Sequence, residues 1–196
     1  MIFKVNEKGI NLVLASNSPR RRELLEKMGF SFTLERVDID EAITAKDPEV
    51  AVREIATRKA EACRSRLSAD DLLITADTLV YAAGQFLGKP KDLEEAKGMI
   101  ESLSGSIHQV YTGVALCYKG KIHNFSEKTE VEFYELEESD IAYYLTHYAY
   151  LDKAGSYGIQ DWIGLIGVKR INGSFENVMG LPTSRLYQEL RHVLKE

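Results

Sequence analysis

Short apolar runs alternate with helical patterns in the first half of this chain, and that alternation constrains its fold more than any other feature. Residues 11–15 and 72–75 are apolar runs of strand length, as expected for buried strands. Ser18-Pro19 and Asp47-Pro48 each join a capping side chain to a proline suited to the first helical position. Strands that alternate with helices in this way indicate an α/β fold.

The second half of the chain adds a hairpin. Residues 107–118 and 121–134 are rich in β-branched and aromatic residues, and Lys119-Gly120 between them predicts a tight turn. Because hairpin strands are antiparallel, the sheet is predicted to be mixed. The remaining patterns predict helices from Asp92 to Leu103, around residues 141–148 and near residues 186–193, and a glycine-interrupted strand over residues 158–171.

Length and composition are those of an ordinary globular protein. The chain has 196 residues, of which 44% are hydrophobic and 28% charged. These values suit one domain with a core of useful size. No internal repeat, low-complexity tract or linker interrupts the sequence, so we expect a single domain over residues 1–196.

Charge and cysteine content restrict the partners and the compartment. The formal net charge is −5, which provides no global positive field for a nucleic acid. No apolar run approaches the roughly 20 residues of a membrane span, and the first residues are too polar for a secretory signal. Cys63 and Cys117 show no disulfide or metal spacing. We therefore expect a cytoplasmic protein that binds neither nucleic acid nor membrane.

The segment Ser16-Asn17-Ser18-Pro19-Arg20-Arg21-Arg22 is the first candidate site. A helix N-terminus offers unpaired N–H groups and a partial positive charge, which favour anions. Ser16 and Ser18 would add hydroxyl donors for phosphate oxygens. Three arginines are unfavourable at this end of a helix unless an anion lies nearby. A phosphate site and a capped helix with solvated arginines fit the pattern equally well.

Carboxylates mark two further positions. Asp77 follows a buried strand directly, where ligands bind in α/β sheets, so it could hold a metal or act as a general base. Asp38-x-Asp40-Glu41 is a cluster of the kind that suits Mg²⁺. Taken alone, Asp77 is better explained as a helix cap or a turn residue. An acidic surface loop explains the carboxylate cluster at least as well as a metal site does.

Two lysines and a glutamine complete the candidates. Lys59 and Lys89 could neutralise phosphate charge, although surface lysines are more common. Residues 152–160 combine small residues with Gln160, whose amide can form two hydrogen bonds to a nucleobase. A loop before a strand is the alternative explanation. A Walker-type P-loop is missing from the sequence.

With these residues in place, the sequence resembles the Maf family of nucleoside triphosphate pyrophosphatases. The matching segments occur in the family's order and extend over nearly the whole chain. They are residues 14–21, 40–41, 58–60, 76–78, 88–91, 103–105, 108–116, 152–160, 171–174 and 178–182.

The resemblance implies an activity, a fold and a cofactor. The activity is hydrolysis of a nucleoside triphosphate to the monophosphate and pyrophosphate, with Mg²⁺ or Mn²⁺. The fold would be that of Maf and the inosine triphosphatases: a long bent mixed sheet flanked by helices, with a nucleotide cleft between two lobes. A homodimer is also implied.

The resemblance also assigns roles to residues. Asp77 corresponds to the proton acceptor, and the family's metal and phosphate contacts fall on Ser16, Glu41, Lys59 and Lys89. Arg20, Thr78 and Gln160 fall on the specificity positions, with identities like those of the branch acting on dTTP and UTP. One departure is Asp161-Trp162, where the family usually has glycine after the glutamine. Together with the helix start, these positions lead us to expect that Ser16, Ser18, Lys59 and Lys89 bind the phosphates, and that Glu41 and Asp77 bind the metal.

Two other functions remain as alternatives. A pyrophosphatase for modified or noncanonical nucleotides would use the same groups. A non-catalytic nucleotide-binding regulator of cell division would keep the phosphate site but need neither Asp77 nor Glu41.

Overall fold

The computed structural model describes residues 9–195, and strands alternate with helices along them as the sequence predicts. In chain order the elements are β1 (Asn11–Ala15), α1 (Pro19–Lys27), β2 (Thr33–Glu35), α2 (Pro48–Cys63), β3 (Asp71–Ala82), β4 (Gln85–Leu87), α3 (Leu93–Leu103), β5 (Ile107–Tyr118), β6 (Lys121–Phe133), α4 (Glu138–His147), α5 (Trp162–Gly167), β7 (Val168–Asn172), α6 (Phe175–Met179) and α7 (Thr183–Val193). Within residues 9–195, no helix is long and apolar enough to cross a membrane.

Seven strands of the described residues form one mixed sheet. Their hydrogen-bonded order is β2-β1-β3-β5-β6-β7, and β4 pairs with β3. β1 is parallel to β2 and β3, whereas the pairs β3–β4 and β6–β7 are antiparallel. Lys119 and Gly120 have φ angles of 48° and 76°, as the two-residue turn of a hairpin requires. The predicted α/β class with a mixed sheet is confirmed.

The described chain divides into two compact units. The first unit comprises the residues up to Asp77, Thr112–Glu127 and the residues from Gly180 onward. The second unit comprises Thr78–Tyr111 and Lys128–Met179. The single domain over residues 1–196 stays a prediction.

Helix α2 covers the sheet of the first unit. The Asp47 carboxylate caps it by accepting hydrogen bonds from the Glu49 and Val50 N–H groups at 2.8 and 3.2 Å. Its buried side chains recur every three or four residues, as in an amphipathic helix. A Cβ atom at Gly113 of β5 would lie 2.3 Å from the Val52 carbonyl carbon and oxygen, so glycine permits this close approach. The shared core cluster contains Val13, Ala15, Ala56, Ala60, Cys63, Leu73, Ala115 and Cys117.

An aromatic cluster lies in the core of the second unit. His108 is buried, and its Nε2 lies 2.7 Å from the Tyr157 hydroxyl. Phe133 packs edge-on against both rings. Burial lowers the pKa of His108 to about 4. The imidazole is therefore neutral at ordinary pH, as a buried histidine without a carboxylate partner should be.

The predicted strand over residues 158–171 is wrong for part of its length. Trp162–Gly167 is helix α5, and only Val168–Asn172 is strand. A Cβ atom at Gly164 would lie 1.9 Å from the Ile159 carbonyl oxygen, so a glycine allows the helix to turn back on the preceding segment. Short apolar runs do not distinguish a strand from a buried helix. The short elements β2, β4 and α6 were not predicted.

Candidate active site

Lys59 and Asp77 meet inside the first unit. Lys59 lies on the buried face of α2, and Asp77 follows the apolar run of β3. The Thr75 hydroxyl donates to the Ala56 carbonyl oxygen at 2.7 Å and so ties β3 to α2. The Lys59 Nζ atom lies 2.7 Å from Asp77 Oδ1, and the two side chains are 7% and 9% exposed. Such buried charges are tolerated because they are paired.

Glu41 binds the same ammonium group. Its Oε1 atom lies 2.7 Å from Lys59 Nζ, and its side chain is 42% exposed. Glu41 is therefore open to solvent, whereas Asp77 is almost fully covered. The structure brings together the predicted proton acceptor, the second predicted metal ligand and one predicted phosphate-binding lysine.

Arg58 fixes the loop that carries Glu41. Its Nη1 and Nη2 atoms donate to the carbonyl oxygens of Asp40 and Ala42 at 2.9 and 2.6 Å. Because these two carbonyls flank Glu41, Arg58 positions the loop backbone while the adjacent Lys59 binds the Glu41 side chain. This role of Arg58 was not predicted. The sequence could have indicated Arg58 only because residues 58–60 are one of the segments that carry the family resemblance.

The predicted phosphate-binding serines lie where α1 begins. The Ser16 hydroxyl oxygen accepts a hydrogen bond from the Ser18 N–H at 3.2 Å. Ser18 occupies the N-cap position, but its side chain makes no capping hydrogen bond, and the first turn contains no acidic residue. The N–H groups of this turn are therefore not capped by a side chain of the helix itself and suit an anion.

The structure separates the members of the arginine run. Arg21 donates from Nη1 to the Ser16 hydroxyl oxygen at 3.3 Å and from Nε to the Gly180 carbonyl oxygen at 2.8 Å. Arg22 instead pairs with Glu26 on the exposed side of α1. Arg21 thus belongs to the serine site, a role that the sequence left unassigned.

Arg21 also lies in the electrostatic field of both carboxylates. Burial lowers the pKa of its guanidinium; Asp77 and Glu41 oppose that change, and Arg20 reinforces it. An arginine remains protonated under such conditions. The first unit therefore holds a half-buried permanent positive charge near two carboxylates, as a site for a phosphate and a cation requires.

Two carboxylates on one ammonium group also fit a divalent cation. Mg²⁺ commonly uses one or two protein carboxylates, and phosphates and water complete its coordination. Glu41 and Asp77 meet that requirement. Among residues 9–195, no group of three or more His, Cys, Asp or Glu side chains could hold a metal. Glu41 and Asp77 would thus supply part of a cation's ligands, as in sites that phosphates and water complete.

In the second unit, the loop that carries Lys89 lies beside residues 152–160. The Gly155 N–H donates to the Gly88 carbonyl oxygen at 3.0 Å. Gly155 has a φ angle of 66°, and a Cβ atom there would lie 3.0 Å from Val80 Cγ2, so glycine suits this contact. The exposed Lys89 and the segment that ends at Gln160 are therefore neighbours.

Gln160 contacts the residue that departs from the family pattern. Its Nε2 atom donates to Asp161 Oδ1 at 3.1 Å. Its Oε1 atom is buried and accepts no hydrogen bond from residues 9–195. Thr78, in the same unit, is half-buried in β3. The specificity roles of Arg20, Thr78 and Gln160 remain predictions.

Known proteins resemble this chain over nearly its whole length. The family model described as Maf-like protein matches residues 11–193. A dTTP/UTP pyrophosphatase of Parabacteroides distasonis is 49% identical over 189 residues, which cover 95% of this chain and 98% of that protein. The dTTP/UTP pyrophosphatase of Thermotoga petrophila is 45% identical over 182 residues, covering 92% and 88%.

The fold also resembles that of a solved structure. A HAM1 protein from Coxiella burnetii superimposes with a TM-score of 0.53 at 17% identity, covering 93% of this chain and 99% of that one. At this identity the likeness concerns the fold alone. The family match and the relatives, which share nearly half of their residues with it, together establish that the chain belongs to the family of Maf-like proteins.

Proposed function

We propose that this protein hydrolyses dTTP and UTP to the nucleoside monophosphate and pyrophosphate. The observation that best supports the proposal is the buried Asp77 carboxylate, held at 2.7 Å by Lys59, with Glu41 on the same ammonium. This pair of carboxylates suits proton abstraction beside a triphosphate. The relatives described above, which are named dTTP/UTP pyrophosphatases, support the substrate class.

In the proposed reaction, Asp77 accepts a proton from water. The water oxygen bonds to the phosphorus of the α-phosphate, which is joined to the β-phosphate through the bridging oxygen. The bridging P–O bond breaks, and pyrophosphate leaves with its electron pair. Lys59 orients the carboxylate before substrate binds, so this geometry need not be assembled during the reaction.

The remaining predicted residues are proposed to bind and select the nucleotide. Cationic groups and hydroxyls offset the negative charge that moves toward the leaving pyrophosphate. For the phosphates these are Ser16, Ser18, Lys59 and Lys89. Arg20, Thr78 and Gln160 are proposed to select the base.

Mg²⁺ or Mn²⁺ is the proposed cofactor, with Glu41 and Asp77 as its protein ligands. When bound, the cation supplies further positive charge against the triphosphate. The proposal is supported by the shared 2.7 Å contacts of both carboxylates with Lys59. A bound cation would satisfy both carboxylates in place of the ammonium, and Lys59 would then be available to bind phosphate oxygens.

A cytoplasmic homodimer without a nucleic-acid or membrane partner is also proposed. Cys63 and Cys117 are free and buried, which suits a reducing compartment. The dimer rests on the family resemblance. Sedimentation equilibrium tests it, because a mass near the 22.1 kDa of one chain would exclude it.

The substrate is tested with a panel of nucleoside triphosphates, assayed for pyrophosphate release with Mg²⁺ and with Mn²⁺. We expect dTTP and UTP to give the highest kcat/KM. If a nucleotide with a modified base gives a clearly higher kcat/KM, the assignment of dTTP and UTP as substrates is wrong and the modified nucleotide is the substrate. Tight nucleotide binding without turnover would indicate a regulator instead of an enzyme.

The role of Asp77 is tested by Asp77→Asn. The amide cannot accept the proton, so we expect pyrophosphate release from dTTP to fall by about 10²–10³-fold or more. Asp70→Asn is the matched control, because Asp70 is exposed in the turn before β3. Near-normal activity of the Asp77 variant would show that another group accepts the proton.

A further inference from the structure

The hydrogen bond between Gln160 and Asp161 determines which way the Gln160 amide faces. Nε2 donates to Asp161 Oδ1 at 3.1 Å. A carboxylate accepts hydrogen bonds and donates none, so the amide must turn its NH₂ group toward Asp161. Its oxygen is thereby turned away, and that Oε1 atom is buried without a donor among residues 9–195.

Asp161 is itself held in place by two neighbours. The Tyr144 hydroxyl donates to Oδ2 at 3.2 Å, and the Lys153 Nζ atom lies 3.6 Å from the same oxygen. The Lys153 side chain is only 8% exposed. Because both neighbours engage Oδ2, the carboxylate presents Oδ1 to Gln160 in a fixed orientation.

Gly158 provides the space for this arrangement. A Cβ atom at Gly158 would lie 2.4 Å from Asp161 Oδ2 and 2.7 Å from Gln160 Nε2. The φ angle of Gly158 is not positive, so the backbone does not demand glycine. The absence of a side chain therefore serves the contact between Gln160 and Asp161.

We propose that Asp161 locks the Gln160 amide in the orientation that accepts uracil and thymine and rejects cytosine. This inference rests on the proposed function, in which Gln160 contacts the base. Uracil and thymine present an N3–H donor beside the O4 acceptor. The locked amide matches both, since Oε1 accepts from N3–H and the second Nε2 hydrogen donates to O4.

Cytosine reverses both partners at the same place. Its N3 is an acceptor and its exocyclic N4 is a donor. In the same position, cytosine N3 would face the acceptor Oε1 of Gln160, and the N4 amino group would face the donor Nε2. A free glutamine would rotate its amide by 180° and restore both hydrogen bonds. That rotation turns Gln160 Oε1 toward the Asp161 carboxylate, where two acceptors repel each other.

The buried Oε1 atom sets a condition on this contact. Less than 1 Å² of it is accessible, so the base must displace the atoms that cover it. A buried acceptor without a donor in a native protein calls for an explanation, and an incoming N3–H group supplies the missing bond.

The test compares kcat/KM for UTP and CTP in Asp161→Asn and in Gly158→Ala. An asparagine can donate to Gln160 Oε1 and so permits the flipped amide, while the alanine methyl group pushes the pair apart without changing charge. We expect the UTP-to-CTP ratio to fall about fivefold or more in both variants, the lower end of what a two-point base contact contributes. The change should occur mainly in KM.

Asp152→Asn is the matched control. Asp152 pairs with the same lysine at 3.2 Å, so its substitution removes an equal charge without touching Gln160, and the ratio should stay unchanged. If the unsubstituted protein hydrolyses neither UTP nor dTTP, the proposed function fails. If it hydrolyses them and a folded Asp161→Asn or Gly158→Ala protein keeps the original ratio, the lock alone is wrong.

Discussion

The Lys59 ammonium lies 2.7 Å from the Asp77 carboxylate, and both side chains are more than 90% covered. Glu41 approaches the same ammonium from a solvent-exposed position. The lysine therefore compensates the charge of a buried carboxylate and anchors an exposed one. Stability and catalysis should depend on the same contact.

Lys59→Met is expected to lower the free energy of unfolding by about 3–5 kcal/mol, because Asp77 would keep a buried charge without its partner. Urea denaturation measures this loss. The double variant Lys59→Met/Asp77→Asn should lose less than the sum of the two single changes. Additive losses would show that the two side chains do not stabilise each other.

Arg21→Lys is expected to lower kcat/KM for dTTP by about 10²-fold. A lysine cannot reproduce the guanidinium geometry that reaches Ser16 and Gly180 together. Steady-state kinetics should be compared with Arg22→Lys, which alters an exposed ion pair with Glu26 and should change little. Equal losses in the two variants would contradict the separation of Arg21 from Arg22.

His108 should make stability depend on pH. Burial lowers its pKa from 6.5 to about 4, so between these values the unfolded chain binds the proton and the folded one does not. Stability is therefore complete above pH 6.5 and decreases as pH falls toward 4, with about 1.4 kcal/mol lost by pH 5.5. Urea titrations at pH 7.5 and 5.5 measure this loss.

His108→Gln should remove that part of the pH dependence, because glutamine does not titrate. His147→Gln is the control, since His147 is exposed on α4. An unchanged pH slope in the His108 variant would show that other groups cause it.

Gly113→Ala is expected to reduce the free energy of unfolding by about 1–3 kcal/mol. The added methyl group would lie 2.3 Å from the Val52 backbone, which cannot move independently of α2. Gly98→Ala makes the same change in α3, where nothing lies within 4 Å, and should stabilise by about 0.5–1 kcal/mol. Thermal unfolding of both proteins checks the difference in sign.

Local signals in the sequence were sufficient for much of the fold. Proline after Ser18 and after Asp47 located the starts of α1 and α2, although only Asp47 caps its helix through its side chain, and Lys119-Gly120 located the hairpin. These patterns depend on residues that are close in the sequence, so they can be interpreted without knowledge of the tertiary structure. The sequence wrongly predicts a strand where helix α5 lies, because a six-residue apolar segment has no distinctive period.

The sequence predicted which residues form the candidate site but not which of their side chains contact each other. The sequence indicated Asp77, Glu41 and Lys59 separately, whereas their meeting on one ammonium depends on the packing of α2 against β3. Arg21, Arg58 and Asp161 act through backbone or side-chain contacts that no spacing rule reveals. The contact of Asp161 with Gln160 lies between sequence neighbours, yet its significance depends on Tyr144 and Lys153 from elsewhere in the chain.

The two cysteines in the core cluster have a practical consequence. Burial raises the pKa of the Cys63 and Cys117 thiols, and the thiolate is the form that reacts with alkylating reagents. Both native thiols should therefore react slowly with maleimides at neutral pH. A cysteine introduced at an exposed position would be labelled selectively, so a fluorophore that reports nucleotide binding can be attached without first removing either native cysteine.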